Sequence, residues 1–207
     1  ALAHDDSDAD LRRRALEQAQ ALSATIEPGL ASDWIRSELG RAWAYNDCYQ
    51  QAVESALSCR SELEADTTLA YVAWRFAKKH SGDLQAIQDF VSRACKRVDE
   101  LSVDRFDPTE KGIIGANMWL AAGLPDSATE RTKDTSYGDI VQAASLAVRG
   151  DVPGAVRLVR KASESSFLVG TESPVLQVGR ALMSIRRLEL LDQVYSEALA
   201  DNREAGL

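Results

Sequence analysis

Side chains that commonly carry out catalysis are scarce in this sequence, and none occurs in the spacing of a catalytic motif. The 207 residues include two histidines, His4 and His80. His80 precedes Ser81-Gly82-Asp83, a position where a cation favours the C-terminal end of a helix. The patterns GxSxG and HExxH, the P-loop and the glycine-rich dinucleotide fingerprint do not occur. We therefore expect a protein that is not an enzyme and has no cofactor; a helical hydrolase or lyase that uses inward-facing carboxylates is the alternative.

The three cysteines are the other candidates for chemistry. Cys48, Cys59 and Cys95 form no CxxC spacing with histidines nearby, so the sequence predicts neither a disulfide framework nor a metal site. We expect them to be small packing residues within helices. A single Cys48–Cys59 bridge across a helix hairpin stays open at this point.

The acidic balance of the chain limits the class of partner. The chain has 24 Lys and Arg against 32 Asp and Glu, a net charge of −8, and nucleic acids and anionic membranes repel such a molecule. We expect a protein or peptide partner that is neutral or basic, and no nucleic acid. No run of about 18 apolar residues occurs, so we expect no membrane span. The chain begins with Ala1 rather than Met, which is compatible with removal of an export signal, so we expect a soluble protein, either cytoplasmic or exported.

Helices must position whatever site the chain contains, because apolar residues recur with a helical period almost throughout. Residues 1–10 are acidic, and we expect a flexible tail there. Asp107 and Pro108 have the order of an N-cap and a first helical residue. The predicted helices are 11–26, 31–46, 49–63, 66–80, one after Asp83, one from Pro108 to Gly123, a short one after Leu124, and the pairs 137–149 with 152–163 and 174–186 with 188–200. No strand is expected, so the predicted fold class is all-α.

One turn pattern recurs four times along the chain. A small or turn-forming residue ends one helix, and an alanine follows a few positions into the next helix. A glycine at the turn takes a left-handed conformation that reverses the chain, and the alanine lets the two helices cross closely. Hairpins built in this way have apolar surface on both sides and must stack on one another. The four turns are Asp47 to Ala52, Gly82 to Ala86, Gly123 to Ala128 and Gly150 to Ala155.

The first of these units resembles a known family, the tetratricopeptide repeat (TPR). The matching residues are Leu39-Gly40-Arg41-Ala42-Trp43, followed by Tyr49, Ala52, Ala56 and Cys59. The unit departs from the family pattern at three positions. Arg36 stands where the family prefers an aromatic residue, Ala56 where it prefers a larger apolar residue, and Glu64 where it often has proline. The resemblance implies a right-handed α-α superhelix, or solenoid, of about five helix hairpins plus an N-terminal helix, with 11–207 as one TPR-like repeat domain. An irregular helical bundle is the alternative.

In this family the first helix of each pair lines an inner groove that holds peptides or partner proteins. The groove positions carried over onto this sequence are Trp34, Ser37, Arg41, Ala44, Tyr45, Trp74, Lys78 and Asn117. Core packing is the alternative for the two tryptophans, and plain solvent exposure is the alternative for Arg41 and Lys78. We expect a non-catalytic protein-interaction scaffold that binds through its concave surface. The alternative is a helical accessory or regulatory subunit that binds through its flanks.

Overall fold

The computed structural model describes residues 6–135, 137–166, 178–179, 181–183 and 187–204. These residues form helices and turns without any strand, which confirms the prediction of an all-α chain. The helices are α1 (Asp6–Ser23), α2 (Leu30–Tyr45), α3 (Tyr49–Ser58), α4 (Glu62–Lys79), α5 (Leu84–Asp99), α6 (Pro108–Ala121), α7 (Pro125–Thr132), α8 (Gly138–Val148), α9 (Val152–Ser166) and α10 (Leu188–Glu204). The predicted helix at 174–186 lies largely outside the described residues.

Helix ends follow the local signals in the sequence at several places. Asp107 is the N-cap of α6 and accepts from the backbone N–H of Glu110, whose carboxylate accepts in turn from the N–H of Asp107. Pro108 is the first residue of this helix, as predicted. His80 is the C-cap of α4, and its ring stacks on Phe76 with centroids 4.2 Å apart.

The boundary between α3 and α4 lies earlier than the sequence predicts. The carboxylate of Asp33, on α2, accepts from the backbone N–H groups of Arg60 and Ser61 at 3.0 and 2.7 Å. These contacts hold the connection between Ser58 and Glu62 in a non-helical conformation. The prediction of a helix through residue 63 and a new one from residue 66 is therefore wrong, because a side chain distant in sequence sets this boundary.

Three of the four repeated turns share one hydrogen-bonding pattern. Asp47, Gly123 and Gly150 have φ angles of 62°, 80° and 90° and follow the ends of α2, α6 and α8. In each turn the next residue donates its N–H to the carbonyl five residues earlier, for example Cys48 to Trp43 at 3.0 Å. The prediction of a left-handed glycine is wrong for Gly82, which does not adopt a positive φ angle. The turn after α4 closes instead through a 2.8 Å bond from Asp83 N–H to the His80 carbonyl.

The helices stack in successive pairs. The first helices of the pairs, α2, α4, α6 and α8, lie side by side in one row. Each second helix, α3, α5 and α7, also contacts the first helix of the following pair, and α10 packs on α9. One continuous apolar core runs through these contacts. Its largest fully buried side chains include Trp43, Phe106, Leu69, Ile114 and Met118.

Two glycines of the first helices are covered closely by residues of neighbouring helices. A Cβ atom on Gly40 would lie 2.7 Å from the Thr68 methyl group and 3.3 Å from the carbonyl oxygen of Ala52 on α3. Gly115 has the equivalent place in α6, where the side chain of Arg131 on α7 covers it. At Gly40 the backbone of α3 leaves room only for a residue without a side chain, whereas the Arg131 side chain over Gly115 can shift.

The first helix begins earlier than the sequence predicts. It begins at Asp6, inside the segment expected to be a tail, whereas a start at residue 11 was expected. The apolar stripe of this helix includes Leu11, Leu16 and Leu22. Leu11 and Leu22 are each 67% exposed, while Leu16 packs against the core. α1 contacts α2 on one side, and nothing in the described part of the chain covers Leu11 and Leu22 on the other.

Candidate interaction surface

Two of the sequence-predicted groove residues are large aromatic side chains that project into solvent from α2. Trp34 is 60% exposed and Tyr45 is 65% exposed. Arg41 lies between them on the same helix face, half-buried, with its guanidinium 2.6 Å from the Glu38 carboxylate. Because α2 also carries Leu39, Trp43 and Ala44 in the core, its fold is fixed independently of these outward residues.

The neighbouring helix α4 extends this surface. Trp74 is half-buried and packs beside Tyr71, with ring centroids 5.7 Å apart. The ammonium of Lys78 lies 5.2 Å from the centroid of the Trp74 ring, within range of a cation–π interaction. These outward residues of the two helices, namely Trp34, Arg41, Tyr45, Tyr71, Trp74 and Lys78, are called the α2–α4 face below.

Arg75 joins the two halves of the α2–α4 face. Its guanidinium lies 5.0 Å from the centroid of the Tyr45 ring and donates to the Tyr45 backbone carbonyl at 3.2 Å. A cation is favourable here because Tyr45 is the last residue of α2, and the unpaired carbonyl groups at a helix C-terminus carry partial negative charge. Tyr45 is therefore held against α4 while most of its ring remains accessible.

Lys79 and Asp47 fix the turn at the same end of the surface. The Lys79 ammonium lies 2.6 Å from the Asp47 carboxylate, and this contact holds the pKa of Asp47 below its ordinary value. The Tyr49 hydroxyl donates to the same carboxylate at 2.8 Å. Burial and this hydrogen bond raise the pKa of Tyr49 above its ordinary value. The turn therefore presents a neutral phenol and an ion pair, and it ties α2, α3 and α4 together.

Ser37, Ala44 and Asn117 are corrections to the predicted groove, because the structure buries all three side chains. Ser37 Oγ lies 2.8 Å from Thr68 Oγ1 at the contact between α2 and α4. Asn117 on α6 donates to both carboxylate oxygens of Asp66 on α4, at 3.0 and 2.9 Å. The helices pack so closely that these positions face neighbouring helices and not solvent.

Sequence reasoning missed three outward residues. Leu30 is 84% exposed one turn before Trp34, and Leu63 is exposed near the start of α4. Arg75 was missed because its role depends on Tyr45 in another helix. The spacing of Leu30, Trp34, Arg41 and Tyr45 along one helix face was a signal available in the sequence. No sequence signal distinguished that face from a core face.

The buried carboxylates have structural partners. Asp33 accepts from the backbone of Arg60 and Ser61 and pairs with Arg36 at 3.3 Å, and Asp66 accepts from Asn117. All three cysteines are free thiols, with Cys59 and Cys95 buried and Cys48 half-buried. Among the described residues, no group of three or more His, Cys, Asp or Glu side chains could hold a metal ion. None of the described helices has the length and apolar composition needed to cross a membrane.

Protein-family models, curated proteins and solved structures were compared with the chain, and none of the three comparisons finds a match.

Proposed function

We propose that this protein is a non-catalytic interaction scaffold that binds a peptide or a segment of a partner protein on the α2–α4 face. The observation that carries the proposal is the exposure of Trp34 and Tyr45 on α2, next to a helix where Arg75 lies against the Tyr45 ring and Lys78 lies over the Trp74 ring. Large aromatic side chains and Arg are enriched at protein interfaces, where they provide contact area at a low cost in conformational entropy. Neither Trp34 nor Tyr45 is needed to fill the core.

The arrangement of the helices supports a TPR-like solenoid as the finer description of residues 11–207. The row formed by α2, α4, α6 and α8 and the contact of each second helix with the next pair are those of stacked hairpins. Gly40 meets the Ala52 backbone at the crossing of α2 and α3, where the resemblance places a glycine and an alanine. We propose that the row of first helices forms the inner side of a right-handed superhelix, with the α2–α4 face on it.

The chemistry of the α2–α4 face indicates how a partner segment is held. Leu30, Trp34 and Leu63 provide apolar contact near the starts of α2 and α4. Arg75 and Lys78 provide donors near the ends of these helices for backbone carbonyls or carboxylates of the partner. The net charge of −8 favours a partner that is neutral or basic overall. We therefore propose a segment with apolar or aromatic anchors in such a partner.

The test is quantitative recovery of partners from the native source with the wild type and two variants. The double variant Trp34→Ala/Tyr45→Ala is expected to lower recovery of the specific partner at least about tenfold, because hot-spot aromatic residues each contribute roughly 2 kcal/mol or more. The matched control, Leu84→Ala/Leu188→Ala, removes exposed apolar residues on α5 and α10. The proposal fails if both variants recover the partner as well as the wild type does.

A flank-binding accessory subunit is the second candidate, and the exposed stripe of α1 favours it. Leu11 and Leu22 recur at helical spacing on this helix, and nothing in the described chain covers them. If the partner binds this stripe, Leu11→Ser/Leu22→Ser abolishes recovery of the partner, whereas Trp34→Ala/Tyr45→Ala leaves its recovery unchanged.

An enzyme that uses inward-facing carboxylates is the third possibility, and it lacks a comparable supporting observation. Asp33 and Asp66 are both buried, and each accepts hydrogen bonds that hold helices together. A catalytic acid requires a partner group and an accessible site for a substrate. We therefore assign structural roles to Asp33 and Asp66, and these roles fit a non-catalytic scaffold.

A further inference from the structure

A groove runs between the two second helices α3 and α5, in the layer that does not contribute to the α2–α4 face. Its volume is about 550 Å³. Tyr49, Val53, Phe90 and Ala94 form its floor. The two helices do not pack directly along their length, because α3 packs against α2 and α4 while α5 packs against α4 and α6.

Two contacts between α3 and α5 define the course of the groove. The Tyr49 and Phe90 rings meet edge to face at one end, with centroids 5.9 Å apart. Farther along, Arg97 donates to both carboxylate oxygens of Glu54, at 2.7 and 3.0 Å, and both side chains are nearly half exposed. A second cavity of about 380 Å³ continues beyond this pair to Leu57 and Leu101. The groove therefore follows all ten residues of α3, roughly 15 Å at the rise of an α-helix.

The α5 side of the groove is basic although the whole chain is acidic. Three cations, Arg93, Lys96 and Arg97, line it together with one carboxylate, that of Glu100. Arg93 is exposed and has no ion pair among the described residues. Lys96 approaches only Glu100, at 3.9 Å and with both side chains exposed, which is a weak interaction. An anionic group on this side would therefore meet two cations that are not already strongly paired.

We propose that the groove between α3 and α5 binds an amphipathic helix of a partner protein, with acidic side chains on the flank that faces α5. The occupant is helical because the walls are helices whose backbone groups are already paired, so they offer an extended peptide no hydrogen bonds. Apolar side chains of the occupant pack on Val53 and Ala94. Its carboxylates pair with Arg93 and Lys96 and compete with Glu54 for Arg97. The site is separate from the α2–α4 face, and either is testable without the other.

Binding of designed peptides tests this proposal. The probe is a fluorescent helical peptide of about 14 residues with Leu at positions i, i+3, i+4 and i+7 and Glu along one flank. Two further probes replace the Glu residues with Lys or place a central Pro in the helix. The protein variants are Arg93→Glu/Lys96→Glu and a control with the same charge change at exposed residues of α9, Arg157→Glu/Lys161→Glu. Fluorescence anisotropy gives each Kd, and circular dichroism verifies that the variants are folded.

We expect the acidic helix to bind the wild type and the α9 control equally, and Arg93→Glu/Lys96→Glu to weaken binding at least tenfold. The Lys and Pro peptides are expected to bind at least tenfold more weakly than the acidic helix. The proposal is overturned if the groove variant binds as tightly as the control, or if the Pro peptide binds as tightly as the helix. A concentration-dependent dimer that Arg93→Glu/Lys96→Glu dissociates, measured by sedimentation, would overturn it in favour of a second copy of this chain.

Discussion

The side-chain amide nitrogen of Asn117 on α6 donates to both carboxylate oxygens of Asp66 on α4, at 3.0 and 2.9 Å. Both side chains are buried where successive hairpins meet. This pair lies within the stack, so it stabilises the scaffold and does not contact a ligand. A double-mutant cycle with Asp66→Ala and Asn117→Ala is expected to give a coupling energy of about 1.5–3 kcal/mol in the free energy of unfolding, since hydrogen bonds to a charged group have this strength. Urea denaturation of the four proteins measures it, and additive effects would contradict the assignment.

Gly40 is expected to be intolerant of a methyl group. The new Cβ atom would meet the Thr68 methyl group at 2.7 Å and the Ala52 carbonyl oxygen at 3.3 Å. Overpacking of this kind costs about 1–3 kcal/mol, against a gain of up to about 1 kcal/mol in helix propensity. Gly112→Ala is the matched control, because nothing lies within 4 Å of its Cβ position. We expect Gly40→Ala to lower the Tm and Gly112→Ala to raise it; a rise in both would show that the crossing is not tight.

Truncation of the two tryptophans of α2 is expected to change stability by very different amounts. Trp43 is 1% exposed and donates to the Gln20 side chain at 2.9 Å, so Trp43→Ala should cost about 3–5 kcal/mol of stability. Trp34 is mostly exposed, so Trp34→Ala should change stability by no more than about 0.5 kcal/mol. Thermal denaturation measures both variants. A large loss of stability in Trp34→Ala would show that Trp34 belongs to the core and not to the α2–α4 face.

The left-handed backbone at Asp47 predicts a difference between two substitutions. Asp47→Ala and Asp47→Gly both remove the ion pair with Lys79 and the hydrogen bond from Tyr49. Only glycine adopts the φ angle of 62° without a steric cost, which is about 1–2 kcal/mol for other residues. Asp47→Gly should therefore be more stable than Asp47→Ala by about that amount. Equal unfolding free energies of the two variants would argue against a strained turn.

The buried thiols predict both low reactivity and a loss of stability in alkali. Burial raises the pKa of Cys59 to about 12 and that of Cys95 to about 11, from an ordinary value of 9.0. At a pH between the ordinary and the raised pKa, the unfolded state has lost thiol protons that the native state keeps. The free energy of unfolding therefore falls as the pH rises above 9. Tyr49 adds to the fall above its ordinary value of 10.0. A Cys59→Ala/Cys95→Ala variant should show a shallower fall from pH 9 upward.

Titration with a thiol reagent at pH 8 provides the second measurement for the cysteines. Half-buried Cys48 is expected to react in the native protein, and Cys59 and Cys95 only after denaturation. Rapid reaction of all three thiols in the native protein would contradict the burial of the last two.

Many local features could be predicted from the sequence because they depend on neighbouring residues. The N-cap at Asp107, the C-cap at His80 and the left-handed glycines 123 and 150 are examples. Asp47 shows the limit of this reasoning, since an aspartate takes the role of glycine where Lys79 and Tyr49 hold it.

The sequence by itself determined that the chain is helical and where most helices begin and end, because capping and periodicity act within a few residues. Only the tertiary structure decided which polar residues of the first helices are buried. Ser37 and Asn117 face a neighbouring helix of the row, whereas Trp34 and Tyr45 face solvent. The same applies to α1, where Leu16 packs against the core while Leu11 and Leu22 are exposed. A helical period identifies residues that share a face, but the packing of distant helices determines whether that face is covered.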